Sequence, residues 1–143
     1  MKFLTKAAIA SAAVTALVVS TAPAAFADGD PSDCPSGYAC MWVDIHYVTN
    51  GSRFTHLDTF YYRATLPSMY DAKASSAYNN GTGGQGVYYY KGQRCPSGGA
   101  RFLMAAGTGD SDFTNGSPAG DFQDAVRSLV FNSSSLISQC RAA

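Results

Sequence analysis

The chain has 143 residues, equal numbers of basic and acidic side chains, and no glutamate, its ten acids all being aspartate. A balanced charge with no basic stripe argues against a nucleic-acid binder. Few charges among many Gly, Ser, Asn and Tyr argue against a helical bundle and for a β-rich, turn-rich domain.

Residues 1–27 read as an export signal. Lys2 and Lys6 give a basic start, residues 7–19 are small and apolar, and Ala25-Phe26-Ala27 is an A-x-A cleavage signature. The apolar run is shorter than the roughly 20 residues a membrane helix requires, so no membrane span is expected. The mature chain, residues 28–143, is then a single secreted, extracellular, monomeric domain. Two of the ten basic residues leave with the signal, so eight face ten aspartates and the net charge becomes −2.

In chain order, the mature part opens with "DCPSGYACMWVD", where Cys34 and Cys40 flank a Pro-Ser-Gly turn and run into a first strand at residues 39–43. Asn50-Gly51 is a turn signal leading to a strand at residues 53–55. A less regular stretch, residues 58–70, holds Phe60-Tyr61-Tyr62. Strands follow at residues 74–78, 87–90 and 101–105. A Gly/Asp/Ser/Asn loop fills residues 107–120, and a last strand runs over residues 125–131. No segment keeps helical periodicity for ten residues or more, and six to eight short strands spaced by turns indicate a sandwich or closed sheet.

Four cysteines in a small exported chain imply two disulfides, with three connectivities open. The local turn favours Cys34 with Cys40, which leaves Cys95 with Cys140. That second link closes a loop of about 45 residues and stabilises by roughly 4 kcal/mol in the chain-entropy model. A zinc knuckle fits poorly, because the spacing is not C-x-x-C and His46 and His56 form no compact pair.

The two halves resemble each other. "CMWVD" matches "YYYKG", with Phe54 as far after Trp42 as Phe102 is after Tyr90. "DAKASSAYNN" parallels "QDAVRSLVFN", placing Ser76 on Ser128 and Asn80 on Asn132. Two four-strand units, at about 34–82 and 85–140, would pack face to face as an all-β Greek-key sandwich.

At these residues a family resemblance enters. "CPSGYACMWVD", followed by "DAKASSAYNNG" and "VYYY", resembles the secreted Streptomyces metalloproteinase inhibitor family of peptidase inhibitors, which has a βγ-crystallin-like fold. The resemblance spans Cys34 to about Phe102 well and the remainder loosely. It implies a local Cys34–Cys40 disulfide and a function of blocking an extracellular protease, by non-covalent occupancy of its cleft with an exposed loop. The matching loop surrounds Cys95, with Arg94 before it, Pro96 after it and Lys91 at its rim. It departs from the family pattern in two ways: Pro96 sits where the residue after the presented bond should be, and the partner cysteine is the distant Cys140. The alternative is a non-inhibitory crystallin-like protein that binds calcium or a cell-wall glycan.

Crystallin-like motifs often bind calcium through two Asn/Asp residues, two variable positions, then Ser/Thr and Ser. The first copy keeps Asp71 and Ser76 with Ser75; the second keeps Asp124 and Ser128 but carries Arg127 in place of a hydroxyl. Half-kept sites imply weak calcium binding or none, and no other cofactor is expected. A hydrolase is disfavoured: there is no G-x-S-x-G or H-E-x-x-H, and oxidised cysteines leave no thiolate. The tyrosine clusters, Tyr61-Tyr62 and Tyr88-Tyr89-Tyr90, should present one side to the core and the other to solvent. Sequons at Asn50, Asn80, Asn115 and Asn132 read as turn chemistry.

Overall fold

The computed structural model describes residues 29–48, 53–56, 62–116 and 121–143. The export segment at residues 1–27, the Asn50-Gly51 turn, Phe60 and Tyr61 therefore lie outside the described residues. Along the chain come β1 (Ala39–Trp42), β2 (Arg53–His56), β3 (Tyr62–Arg63), β4 (Ser76–Asn79), β5 (Val87–Tyr90), β6 (Arg101–Met104), β7 (Thr108–Asp110), β8 (Ser128–Phe131) and α1 (Ser134–Ala142). They build two antiparallel four-stranded sheets, ordered β2-β1-β4-β7 and β3-β8-β5-β6. Within each half, the first, second and fourth strands share a sheet and the third crosses to the other: β3 pairs with β8, and β7 pairs with β4.

The internal repeat is visible in the register. Trp42 lies opposite Arg53 and Ser76, as Tyr90 lies opposite Arg101 and Ser128. Left-handed backbone also recurs at matched positions: His46 and Tyr47 correspond to Arg94 and Cys95, and Ala72 to Asp124. Non-glycine residues adopt this conformation only when the surroundings hold them there. The holding group is a buried serine. Ser76 Oγ donates to the Asp44 carbonyl at 2.8 Å and accepts from the Tyr47 N–H at 3.3 Å. Ser128 Oγ donates to the Gly92 carbonyl at 2.6 Å and accepts from the Cys95 N–H at 3.1 Å. Each first hairpin is thus folded down onto the last strand of its own half, and its turn loses no backbone hydrogen bond to burial.

Three apolar clusters follow from this arrangement. Between the sheets, alternate residues such as Met41, Val87, Tyr89, Leu129 and Phe131 pack with Phe102, Phe113 and Phe122 from β6 and the loops. Tyr89 stacks on Phe102 at 4.9 Å, and Phe113 and Phe122 meet Phe102 edge-on, a favourable aromatic geometry. The outer face of the first sheet buries Trp42 under the Cys34–Cys40 disulfide, with Tyr38, Tyr47 and Tyr78 packed around it. The outer face of the second buries Tyr90 and Val130 under the Cys95–Cys140 disulfide.

The last cluster corrects the expectation that the outward tyrosines face solvent. Tyr90 is fully buried and Tyr88 half-buried, because Leu136 and Ile137 of α1 pack over them. The helix was not foreseen: nine residues give too short a periodic signal, and a helix this short is marginal without docking. Strands β3 and β7 lie in stretches whose sequence shows no regular pattern. Each has only two or three residues, and each takes its partner from the other half of the chain, so no local alternation announces it.

Two outcomes test this packing. Ser128→Ala strands the Gly92 carbonyl and Cys95 N–H, and should lower the unfolding free energy by about 2 kcal/mol in urea titrations. Tyr89 has a buried hydroxyl with no hydrogen-bond partner, and burial pushes its ionisation far above the ordinary phenol value. The unpaired hydroxyl is a cost at every pH. Because its ionisation is suppressed in the folded state, stability is independent of this group below the unfolded tyrosine pKa of about 10 and falls as pH rises beyond it. Tyr89→Phe should therefore raise stability by about 1 kcal/mol at neutral pH and make alkaline unfolding less steep.

Candidate functional site

The loop between β5 and β6 is closed at its base, where the Lys91 N–H donates to the Ala100 carbonyl at 3.1 Å. Lys91 lies along the rim. Its ammonium pairs with Asp121 at 2.8 Å and sits 4.9 Å from the Phe122 ring. That pairing holds the exposed Asp121 carboxyl below its ordinary value, chiefly through the hydrogen bond from Lys91. Further round, Arg94 turns into the left-handed region at φ 59°, and its N–H donates to the Ala64 carbonyl at 2.6 Å. Cys95 follows with φ 46°. It is wholly buried, bonded to Cys140, with its N–H on Ser128 and its carbonyl accepting from Arg141 Nε at 3.1 Å.

Pro96 closes the loop from within. A Cβ added at Gly92 or Gly99 would lie 2.7 or 2.6 Å from Pro96 Cγ, so both glycines are needed for the ring to nest. Gly98 takes φ 76°, and the Gly99 N–H returns to the Pro96 carbonyl at 3.3 Å, completing a turn with glycine at its third position. The same Cys-Pro-Ser-Gly sequence builds the turn of the first disulfide, where Gly37 has φ 88° and Tyr38 N–H returns to the Pro35 carbonyl at 3.2 Å.

Of the residues read as the contact from sequence, Arg94 is exposed, Lys91 and Pro96 are half-buried, and Cys95 is inside. The solvent meets Gln93, Arg94, Ser97 and Gly98. Sequence reasoning overlooked Gln93, Ser97 and Gly98, although the P-S-G-G run carried the turn signal.

The residues considered for calcium have other work. Ser76 and Ser128 spend their hydroxyls on backbone. The loops that precede them meet and cross-link: Gln123 Nε2 donates to Ser75 Oγ at 2.7 Å, and Arg127 lies 4.0 Å from the Asp71 carboxylate. Asp124 donates its backbone N–H to the Ala74 carbonyl, and Ala72 donates to the Val126 carbonyl. A guanidinium beside Asp71 opposes a second cation. Two buried side-chain acceptors there, Asp71 Oδ1 and Gln123 Oε1, have no hydrogen-bond partner. No cluster of three metal-ligating side chains occurs among the described residues.

With the geometry in place, the fold has solved counterparts. A βγ-crystallin domain from work on the evolution of the eye-lens fold superposes with a TM-score of 0.54 at 13% identity, covering 69% of this chain and 89% of that one. An archaeal βγ-crystallin gives 0.48 at 12% identity, covering 68% and 99%. The first likeness shows that the fold is βγ-crystallin-like, a Greek-key sandwich. No curated protein matches the chain significantly. The profile of Peptidase inhibitor family I36 matches residues 27–103, more than half of the chain, and the protein belongs to that family.

Millimolar calcium should leave the melting temperature of the protein unchanged. In Arg127→Ser, which removes the competing cation and restores a hydroxyl, calcium should raise it, since a ligand that binds only the folded state stabilises that state. A calcium-dependent rise in the unmodified protein would show that the two loops bind the ion despite Arg127.

Proposed function

We propose that the protein is a secreted inhibitor of an extracellular metalloprotease, acting by non-covalent occupancy of the protease cleft with the exposed tip of the loop at residues 91–99. Membership of a peptidase inhibitor family carries the general activity. The observation that favours this loop is its immobilisation before any partner arrives. Cys95 is held by a disulfide and by both of its backbone groups, Arg94 by Ala64, and Pro96 by the two glycines that receive it. A segment that is already ordered loses little conformational freedom on binding, and that cost otherwise subtracts from affinity.

The same restraints divide the labour within the loop. Cys95 and Pro96 act as the anchor, while Gln93, Arg94, Ser97 and Gly98 form the surface offered to the protease. This reading differs from the sequence expectation of a bond presented beside Cys95, because the Cys95 carbonyl is engaged by Arg141. An inhibitor that blocks the cleft without offering a scissile bond is the consequence.

The test is a titration of thermolysin, with trypsin in parallel, by residues 28–143 with both disulfides intact. Thermolysin activity should fall linearly to equivalence. An Arg94→Gly, Ser97→Gly variant keeps Cys95 and tolerates the left-handed backbone, and should weaken inhibition by about tenfold or more. Equal inhibition by the variant would remove the loop from the mechanism. Absence of inhibition of either protease at micromolar protein would instead favour the non-inhibitory crystallin-like alternative.

A further inference from the structure

Within residues 28–143, sulfur occurs in Cys34, Cys40, Cys95 and Cys140 and in Met41, Met69 and Met104. The cysteines are all buried and all joined in disulfides. Met41 and Met104 lie in the core between the sheets at 0% and 1% exposure, whereas Met69 is 61% exposed. Among the described residues, Met69 therefore carries the one sulfur that solvent reaches directly. Its exposure is built into the fold. Leu66 is buried, and its N–H donates to the Arg127 carbonyl at 3.3 Å. The Pro67 carbonyl accepts from the Tyr70 N–H at 2.8 Å and the Asp71 N–H at 2.9 Å, and the Ala72 N–H donates to the Val126 carbonyl at 2.9 Å. Pro67, Ser68 and Met69 are the exposed crown of a turn pinned on both flanks.

The turn starts where the chain leaves the loop at residues 91–99. Ala64 accepts from the Arg94 N–H at 2.6 Å, and Arg127, which receives Leu66, donates its own N–H to the Tyr90 carbonyl at 2.8 Å. Residues 64–66 thus run along the base of that loop, and Met69 follows three residues later. A single exposed apolar side chain is ordinary on a protein surface and by itself calls for no partner. A thioether, however, is soft and polarisable, and oxidation turns this flexible apolar group into a polar, chiral sulfoxide.

We propose that Met69 is a selective peroxide-modification site on the protease-facing surface, oxidised to the sulfoxide while Met41, Met104 and both disulfides are spared. A sulfur lone pair attacks one oxygen of hydrogen peroxide, the O–O bond breaks and an S–O bond forms. Sulfur gives up two electrons, and the departing hydroxide takes the proton of the transferred oxygen and leaves as water. The modification is independent of any partner. Its effect on inhibition rests on the inhibitor reading, because a sulfoxide brings a strongly polar group to a contact that loses water on binding.

The experiment treats residues 28–143, disulfides intact, with hydrogen peroxide and follows each methionine by peptide mass spectrometry. Met69 should gain one oxygen about tenfold faster or more than Met41 and Met104, whose reaction waits on opening of the fold. Comparable rates at all three overturn the site. The oxidised protein, Met69→Gln and Met69→Leu are then titrated against thermolysin. The oxidised protein and Met69→Gln should each inhibit about threefold more weakly or worse, while Met69→Leu should inhibit as the unmodified protein does, before and after peroxide. Undiminished inhibition with Met69 fully oxidised overturns its place on the protease-facing surface. If the untreated protein inhibits no protease, the inhibitor reading fails and that placement falls with it, while the order of oxidation still decides the modification site.

Discussion

A serine hydroxyl with two backbone partners, used twice, is the constraint on which the molecule depends. Ser76 and Ser128 are inaccessible to solvent, and each satisfies one carbonyl and one N–H of a hairpin that would otherwise bury them unpaired. With those groups satisfied, the hairpin can lie flat on its sheet, and four residues can be held in left-handed backbone that their side chains disfavour. The outer aromatic clusters then have a lid, and each lid is where a disulfide attaches. Trp42 with Cys34–Cys40 and Tyr90 with Cys95–Cys140 are two solutions to one problem, which is how to cover the outer face of a sheet in a domain too small to add a third layer.

What the sequence displayed and what it concealed divide along the range of the interaction. The disulfide at Cys34 and Cys40 was legible because a Pro-Ser-Gly turn is local chemistry. The internal repeat was legible because Trp42 and Tyr90, and Ser76 and Ser128, sit at matched spacings. β7 was concealed because Thr108-Gly109-Asp110 has no alternation of its own and is a strand only by virtue of pairing with β4. The C-terminal helix was concealed because its apolar side, Leu136, Ile137 and Cys140, is defined by tyrosines far away in the chain.

The site divides in the same way. That the region around Cys95 was special could be read from its cysteine and from a family resemblance; that Cys95 points inward and Gln93 and Ser97 outward could not. The loss of a hydroxyl at Arg127 was visible as a departure from a calcium pattern, but its compensation was not. Arg127 faces Asp71 across the two halves, so a charged side chain occupies the junction that the pattern assigns to a metal. The contact of Ala64 with Arg94 depends entirely on strand exchange, and no one-dimensional spacing announces it.

Strand exchange also governs when the chain can fold. The first sheet lacks β7 and the second lacks β6 and β8 until residues 101–131 exist, although five strands precede them. A growing or emerging chain ending at Tyr90 has neither sheet complete, and its one crossing strand, β3, still lacks its partner β8. Folding is therefore a concerted event of the whole domain, dominated by contacts distant in sequence and slow in consequence. For a molecule stapled by a disulfide between Cys95 and Cys140, this ordering has a benefit. The elements that bring Cys95 and Cys140 within bonding distance, β5, β8 and α1, span residues 87–142, so correct pairing is favoured by a fold in which all three are already in place.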